Sequence, residues 1–392
     1  MDGRAKNSEF DVIVIGAGFC GSVVAIKAAD LGLRIKVFDS REAYPDAFRA
    51  EKLEQDQYEA LEAMELINLI QPEGSNLINA VRVLKSSSET VVPCDKHRGM
   101  DYSASVNSFR SVLRDRGLLE TQKVSLVQDS STGSTVSLED GSTLRCKLCV
   151  ISTGLSKGLR KSLGLQSQAP NALISTTFGF DIEPVSAPFP HEAFNTYPEQ
   201  FTAGLQYATF FPIANRMRCN VFTCWKPGSA ESTQFRADTR SALLRYFPWL
   251  EDRIGPFRLS TKTQVYTTHY YRQRCDHLKT VILVGDAYQS VSPATGVGLS
   301  KCLSDARALL KMLPGLPTSS AKELDVASFY QNSMKRRVDD NALSRWRWAN
   351  ESSTSRSFIT ALKRLKRKLA NSRVRQLISY ARSIDRRPLN RR

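Results

Sequence analysis

Asp11-Val12-Ile13-Val14-Ile15-Gly16-Ala17-Gly18-Phe19-Cys20-Gly21 joins a β-branched apolar run to three spaced glycines. The run has no helical periodicity and ends on glycine, which predicts a buried strand over 11–15. A helix is expected from Ser22 to Ala29, with Gly32 as its stop. Gly16 permits a tight turn, Gly18 lets a ligand approach the backbone beside Ala17, and Gly21 lets the helix pack close against the strand. The helix N-terminus would then face the turn with unpaired N–H groups and partial positive charge, which suits a pyrophosphate. A second strand, Ile35 to Phe38, ends at Asp39, eighteen residues past Gly21. An acid there accepts hydrogen bonds from ribose hydroxyls and repels a 2′-phosphate. Strand, turn, helix, strand and acid in register predict a dinucleotide site, against the plainer reading of a glycine-rich turn. This stretch leaves both FAD and NAD open.

The chain has 392 residues, long enough for two domains sharing one ligand, and 41 % of them are apolar. It has no apolar run of membrane-spanning length. Met1 to Phe10 is polar, without the apolar segment of a secretory leader, so a cytoplasmic location is expected. The eight cysteines are scattered. Cys146 and Cys149 run into an expected strand, where residues three apart face opposite sides, so buried free thiols are expected and no metal site. The net charge of +16 is concentrated at one end: Arg356 to Arg392 holds thirteen Lys/Arg and one acid, leaving +4 for the rest.

Further along, a helix is expected from Leu53 to about Ile67, with Arg49 just before it, where a cation can reach back to the pyrophosphate or the flavin edge. Short strands are expected at 77–84 and 89–92, a helix at 107–116, and a hairpin around Asp140-Gly141. The strand 148–152 runs into Thr153-Gly154, a second glycine turn suited to phosphate or ribityl contact, or a plain loop. From about Leu173 to Tyr271 the pattern alternates, as in an antiparallel sheet. Its aromatic stretch, Tyr207-Ala208-Thr209-Phe210-Phe211-Pro212, together with Tyr266, offers a low-specificity substrate pocket: Tyr207, Phe210, Phe211, Pro212 and Tyr266. Sheet core is the plainer reading of these aromatics. The strand 280–284 then ends in Gly285-Asp286, and Pro293, Gly296, Val297 and Gly298 precede a helix over 299–312. Asp286 can accept from a sugar-like hydroxyl, and the helix start offers N–H groups to a second anionic or carbonyl-bearing group. A pyridine-nucleotide dehydrogenase has no need of this second, distant constellation, which favours FAD.

Together these residues resemble the FAD-dependent aromatic hydroxylases of the para-hydroxybenzoate hydroxylase type, over about Phe10 to Met312. The resemblance implies that Gly16, Gly18 and Gly21 hold the FAD pyrophosphate. It matches Asp39 to the ribose acid, Arg49 to the flavin-side arginine, and Gly285-Asp286 to the ribityl and pyrophosphate motif. Pro293, Gly296 and Gly298 match the turn beside the flavin ring. The expected fold is α/β: a Rossmann-type FAD-binding domain with an inserted antiparallel β-sheet substrate domain and a basic helical C-terminal tail. Residues 8–80, 95–172 and 273–335 are assigned to the first unit, 81–94 and 173–272 to the second, and 336–392 to the tail. Two departures stand out. The family's middle motif appears as Thr153-Gly154 with Lys157 at its serine position, keeping Arg160, and its common Gly-Asp-Ala-Ala-His becomes Gly285-Asp286-Ala287-Tyr288-Gln289.

The activity so implied is a monooxygenase reaction: reduction by NAD(P)H as a transient partner, capture of O₂ as a flavin C4a-hydroperoxide, and oxygen transfer to an aromatic or other electron-rich apolar molecule. No general base is identified. A flavin reductase or dehydrogenase acting on a prenyl-type or secondary-metabolite substrate is the alternative. A halogenase would carry Trp-x-Trp-x-Ile-Pro, and Trp346-Arg347-Trp348 lacks the Ile-Pro. In the tail, Phe358, Leu362, Leu365 and Leu369 fall at helical spacing among Lys and Arg, so 356–392 is expected to pack on the body or to lie peripherally on an anionic membrane. Nucleic-acid binding is not expected, because no reading module accompanies the charge.

Overall fold

Glu9–Ile15 runs through the middle of a seven-stranded sheet, parallel to Ile35–Asp39 on one side and to Thr143–Ile151 on the other. The structure is a computed structural model that describes residues 9–355 apart from 47, 50, 71–74, 169–172 and 317–323. Leu119–Thr121 flanks Ile35–Asp39, and Gly133–Leu138 and Val124–Ser130 extend the other edge. Val281–Leu283, far along the chain, returns to lie parallel beside Thr143–Ile151. Val12, Ile13 and Val14 are fully buried. A strand covered on both faces reads as a continuous apolar run, which is why the alternation expected of a half-exposed strand is missing here. The helix Phe19–Asp30 packs against Tyr102–Asp115 and Gly298–Met312.

The second sheet has nine strands, in the order Phe257–Leu259, Ile174–Pro184, Arg216–Thr223, Leu205–Ile213, Phe194–Thr196, Ser75–Leu84, Glu89–Met100 and Lys52–Leu53, with Gln264–His269 paired to Ile174–Pro184. Period-two alternation sorts its side chains cleanly. Phe178, Phe180, Ala208, Phe210, Cys219 and Val221 point to one side, into a core with Phe235, Leu243, Phe247 and Leu250. Phe235, Leu243 and Leu250 come from three short helices, Ala230–Ala237, Thr239–Tyr246 and Leu250–Ile254, and Phe247 directly follows the second; the reading of 173–271 as sheet alone misses them. Their signals are local: the Ser229 and Asp238 side chains accept from the backbone N–H of Ser232 and Ser241 as N-caps.

Other segments differ from expectation in instructive ways. Leu53 lies in a two-residue strand opposite Arg98, and the helix starts only at Gln55, after the Glu54–Gln57 capping box. The hairpin 75–100 is longer than expected and belongs wholly to the second sheet, so the sequence-based boundaries at 81 and 94 fall inside its strands. The helix Ser333–Thr354 covers the start of the C-terminal segment, and Trp346 on it is fully buried, edge-on to Tyr270 at 5.6 Å. Residues 356–392, with the basic amphipathic pattern, lie outside the described residues. No helix among the described residues is long and apolar enough to cross a membrane.

Candidate active site

A cleft of about 660 Å³ opens over the C-terminal ends of the central strands, lined by Gly16, Gly18, Asp39, Arg110, Gly154, Gly285 and Asp286 among others. Gly16 takes φ +101°, and a Cβ there would stand 2.5 Å from the Ser152 carbonyl oxygen. A Cβ on Gly21 would stand 2.0 Å from the Gly16 carbonyl oxygen, so the helix start rests directly on the turn. In front of Gly18 the nearest atom to such a Cβ is Tyr44 Cε2 at 4.0 Å, which leaves the backbone approachable. The twelve-residue helix behind it has no side-chain N-cap, so its first N–H groups face the cleft without an internal partner. These features fit the pyrophosphate of a dinucleotide.

Asp39 holds the same turn. Its Oδ2 accepts from the Ala17 N–H at 2.8 Å and its Oδ1 from the Arg41 N–H at 3.0 Å. Beside it lies a residue that motif reading missed: Arg110, on Tyr102–Asp115 and 1 % exposed. Its guanidinium pairs with Asp39 Oδ2 at 3.2 Å and donates to the carbonyls of Ala17 at 3.2 Å, Glu42 at 3.0 Å and Arg41. One buried cation thereby ties the glycine turn to the loop after the second strand. Nothing in the spacing marks Arg110; its position on a helix that packs over the turn is a tertiary fact.

A second, inner cavity of about 200 Å³ adjoins the cleft, and Arg49, Tyr102, Asp286 and Cys302 line both. Arg49 lies over the Tyr266 ring at 5.0 Å and pairs with Asp286 at 3.7 Å. Burial opposes its charge, but Tyr266, Tyr44, Tyr102 and Asp286 outweigh that and raise its pKa, so the guanidinium stays cationic. Burial raises the Asp286 carboxyl above the ordinary aspartate range, against the pull of Arg49 and Lys301. The Gly285 N–H before it donates to Asp305 at 2.7 Å. Asp305 belongs to a buried ring with Lys301, Lys335 and Asp339, in which the ion pairs span 2.8–3.1 Å. That ring fastens the Ser333–Thr354 helix to the Gly285-Asp286 turn.

One wall of the inner cavity is the face of the second sheet turned away from its helices: Thr177, Tyr207, Thr209, Phe211, Asn220 and Phe222, with Tyr266 beside them. The opposite wall carries Val291, Pro293, Gly296, Gly298 and Leu299. Pro293–Thr295 forms a single helical turn, Gly296 follows it at φ +68°, and Val297 caps the helix that begins at Gly298. The period of two corrects part of the aromatic pocket. Tyr207, Phe211 and Tyr266 line the cavity, whereas Phe210 points the other way and stacks on Phe194 at 4.3 Å in the helix-covered core, and Pro212 shares its parity. Phe48 completes the wall; its ring lies where a Cβ on Gly179 would be, 2.1 Å away.

Glu51 also reaches this cavity, from just before the short strand Lys52–Leu53 of the second sheet. Its Oε1 accepts from Arg218 Nη1, and Arg218 Nε donates to Asp181 Oδ1 at 2.5 Å. Burial pushes the Glu51 carboxyl up to about 8, over the opposing pull of Arg218 and with the help of Asp181. In the altered middle motif, Arg160 is 4 % exposed and donates to the carbonyls of Leu155 at 2.8 Å and Ser156 at 2.9 Å, with its guanidinium 4.4 Å from the Tyr271 ring centre.

Glycine turn, adjacent acid, cleft and adjoining cavity together mark a flavoprotein. The chain belongs to the FAD binding domain family, whose model matches residues 9–336, and FAD is its cofactor. It is similar to squalene epoxidase 3 of Arabidopsis thaliana, 24 % identical over 350 residues, which cover 83 % of this chain and 64 % of that protein. The chain thus spans less than two thirds of that relative's length. Among solved structures it is similar to halogenase PltM in complex with phloroglucinol and FAD, with TM-score 0.69 at 14 % identity, covering 88 % of this chain and 77 % of that one. It is also similar to p-nitrophenol 4-monooxygenase PnpA from Pseudomonas putida DLL-E4, with TM-score 0.63 at 17 % identity, covering 88 % and 87 % of the two chains. At these identities the two solved structures share the fold.

Proposed function

We propose that this protein is an FAD-dependent monooxygenase that inserts one oxygen atom of O₂ into a single-ring aromatic or comparably small electron-rich group, with NAD(P)H as reductant. The observation that carries this reading is the junction: a cleft of about 660 Å³ meets a smaller, aromatic-walled cavity at Arg49, Tyr102, Asp286 and Cys302. A cavity of about 150 Å³ holds a benzene-sized ligand, so about 200 Å³ suits one ring or one double bond of a longer chain. Bound FAD supplies two-electron redox chemistry and the activation of O₂. The chain's own residues do the rest. The glycine turn and the Phe19–Asp30 helix start receive the pyrophosphate, Asp39 receives ribose hydroxyls, and Arg49 holds positive charge at the junction. Phe48, Phe211, Phe222 and Tyr266 keep water from the reacting group.

A second reading, a flavin reductase or dehydrogenase of an isoprenoid-type substrate, draws on the Arg160 donors being committed to loop carbonyls; the squalene epoxidase likeness bears only on the isoprenoid-type substrate, since epoxidation is an oxygen insertion and favours the first reading. Oxygen uptake separates the two. On the first reading, purified FAD-loaded protein consumes O₂ and NAD(P)H together when phenols or small alkenes are supplied and yields a product one oxygen heavier. Turnover of substrate under anaerobic conditions would support the second.

A further inference from the structure

Cys20 and Cys302 are 282 positions apart in the chain and meet beside Gly285. Cys20 is the second residue of the Phe19–Asp30 helix and Cys302 the fifth of Gly298–Met312. The Cys20 thiol donates to the Cys302 carbonyl at 3.6 Å. A Cβ on Gly285 would stand 3.4 Å from Cys302 Sγ and 3.7 Å from Cys20 Sγ, so both sulfurs border the space that glycine leaves open. The Cys20 thiol holds its proton: interaction with the Cys302 side chain first, then burial, raise its pKa well above the ordinary thiol range. Access separates the two. Cys20 is 6 % exposed and lines the cleft, whereas Cys302 is only half-buried and lines both the cleft and the inner cavity. No other cysteine among the described residues lines either chamber.

We propose that Cys302 and Cys20 form a peroxide-reactive dithiol at the junction of the two chambers, which closes to a disulfide when hydrogen peroxide arises there. Reduced flavin that gives its electrons to O₂ without delivering an oxygen atom yields hydrogen peroxide, so the oxidant is available on either reading of the function. In the first step Cys302 Sγ bonds to one peroxide oxygen as the O–O bond breaks. The other oxygen leaves as water with the thiol proton, and a sulfenic acid remains. In the second step Cys20 Sγ bonds to Cys302 Sγ, the S–O bond breaks, and the hydroxyl leaves with the Cys20 proton as a second water. The two thiols give up two electrons, and the peroxide takes both. Cys302 reacts first because it is open to both chambers. Cys20 resolves because it is sheltered from peroxide and already packed against Cys302. The link ties together the starts of two helices that frame the cleft and draws the Cys302 sulfur toward Cys20.

The test treats FAD-loaded protein with hydrogen peroxide, alkylates the remaining thiols and reads the peptides by mass spectrometry. Wild type is expected to yield a linked Cys20–Cys302 pair, two hydrogens lighter than the free peptides and reversed by dithiothreitol. Cys302→Ser should lower oxidation of Cys20 roughly tenfold or more. Cys20→Ala should stop at the Cys302 sulfenic acid, which dimedone traps. Flavin absorbance checks that each variant still holds FAD; where one does not, the wild-type arms decide. In a second arm the bound FAD is photoreduced and O₂ is admitted with catalase in solution. The link should still form, because the peroxide originates inside the cleft. Wild type without the linked pair overturns the proposal, as does a link that catalase abolishes. A Cys302→Ser variant that oxidises Cys20 at the wild-type rate, or a Cys20→Ala variant without a dimedone adduct on Cys302, overturns it too. Since no substrate is oxygenated in these arms, such failures leave the monooxygenase reading standing.

Discussion

Replacing Arg110 by methionine removes the one buried cation that joins the glycine turn to the loop after Asp39. The change leaves the carbonyls of Ala17 and Arg41 short of a donor, Glu42 with Arg114 alone, and Asp39 without its ion pair. Breaking a buried pair by deleting one partner costs about 3–5 kcal/mol. Asp39 keeps 18 % of its side-chain surface and its bonds to Ala17 and Arg41, so the lower end applies. At about 2 °C per kcal/mol for a chain of this length, Tm of the FAD-free protein should drop by about 6 °C. The same atoms frame the cleft, so FAD affinity should fall roughly a hundredfold. FAD at a hundred times the wild-type Kd adds about 2.7 kcal/mol to wild type and almost nothing to the variant. Differential scanning fluorimetry with and without FAD reads both effects. In an Asp39→Asn background the Arg110→Met penalty should shrink by about 1.5 kcal/mol, because the pair is already broken. A Tm within 1 °C of wild type, together with unchanged FAD-induced stabilisation, would refute the clamp.

Gly21→Ala places a Cβ 2.0 Å from the Gly16 carbonyl, against backbone that cannot yield, so the helix must lift from the strand; purified protein should lose its flavin absorbance while partly retaining secondary structure. Phe210→Ala should destabilise by about 3–5 kcal/mol in urea unfolding without changing which ligands bind, whereas Phe211→Ala should enlarge the inner cavity and admit bulkier rings. The Glu51 carboxyl is raised from 4.5 to about 8 on folding, so its contribution to stability is whole below pH 4.5 and drains away as pH climbs to about 8. Unfolding free energies of Glu51→Gln and wild type should therefore agree near pH 4.5 and separate in favour of the variant by several kcal/mol at pH 9; parallel curves would contradict the burial argument.

The parts of the fold that could be read early are those governed by local backbone geometry. Gly16, Gly18 and Gly21 mark a turn because only those positions must avoid a Cβ or face a ligand, and the requirement is written within eleven residues. Asp39 and the Pro293-to-Gly298 stretch are legible for the same reason. Arg110 and the Glu51–Arg218 pair are not, since they join residues 71 and 167 positions apart through packing alone. Phe210 and Phe211 are an intermediate case. Alternation guarantees that the two face opposite ways, but which face meets the cavity is decided by the three short helices on the far side, and those were hidden inside an expected run of strands. The Ser229 and Asp238 caps were the available clue.

This division also locates where substrate choice can change without loss of the cofactor. The residues proposed to hold the cofactor sit on turns at strand ends, where glycines and the Arg110–Asp39 pair leave little freedom. The inner cavity is instead walled by alternate residues of three adjacent strands, Thr177, Tyr207, Thr209, Phe211, Asn220 and Phe222, whose neighbours in sequence are committed to the opposite core. A substitution on the cavity face alters volume or polarity there while the backbone ladder and the far core hold the strand in register. The junction residues Arg49, Tyr102, Asp286 and Cys302 are the exception, because they line both chambers and cannot vary for one without disturbing the other. Ligand discrimination should thus track the sheet face, and changes at Arg49 should depress flavin binding and ligand binding together.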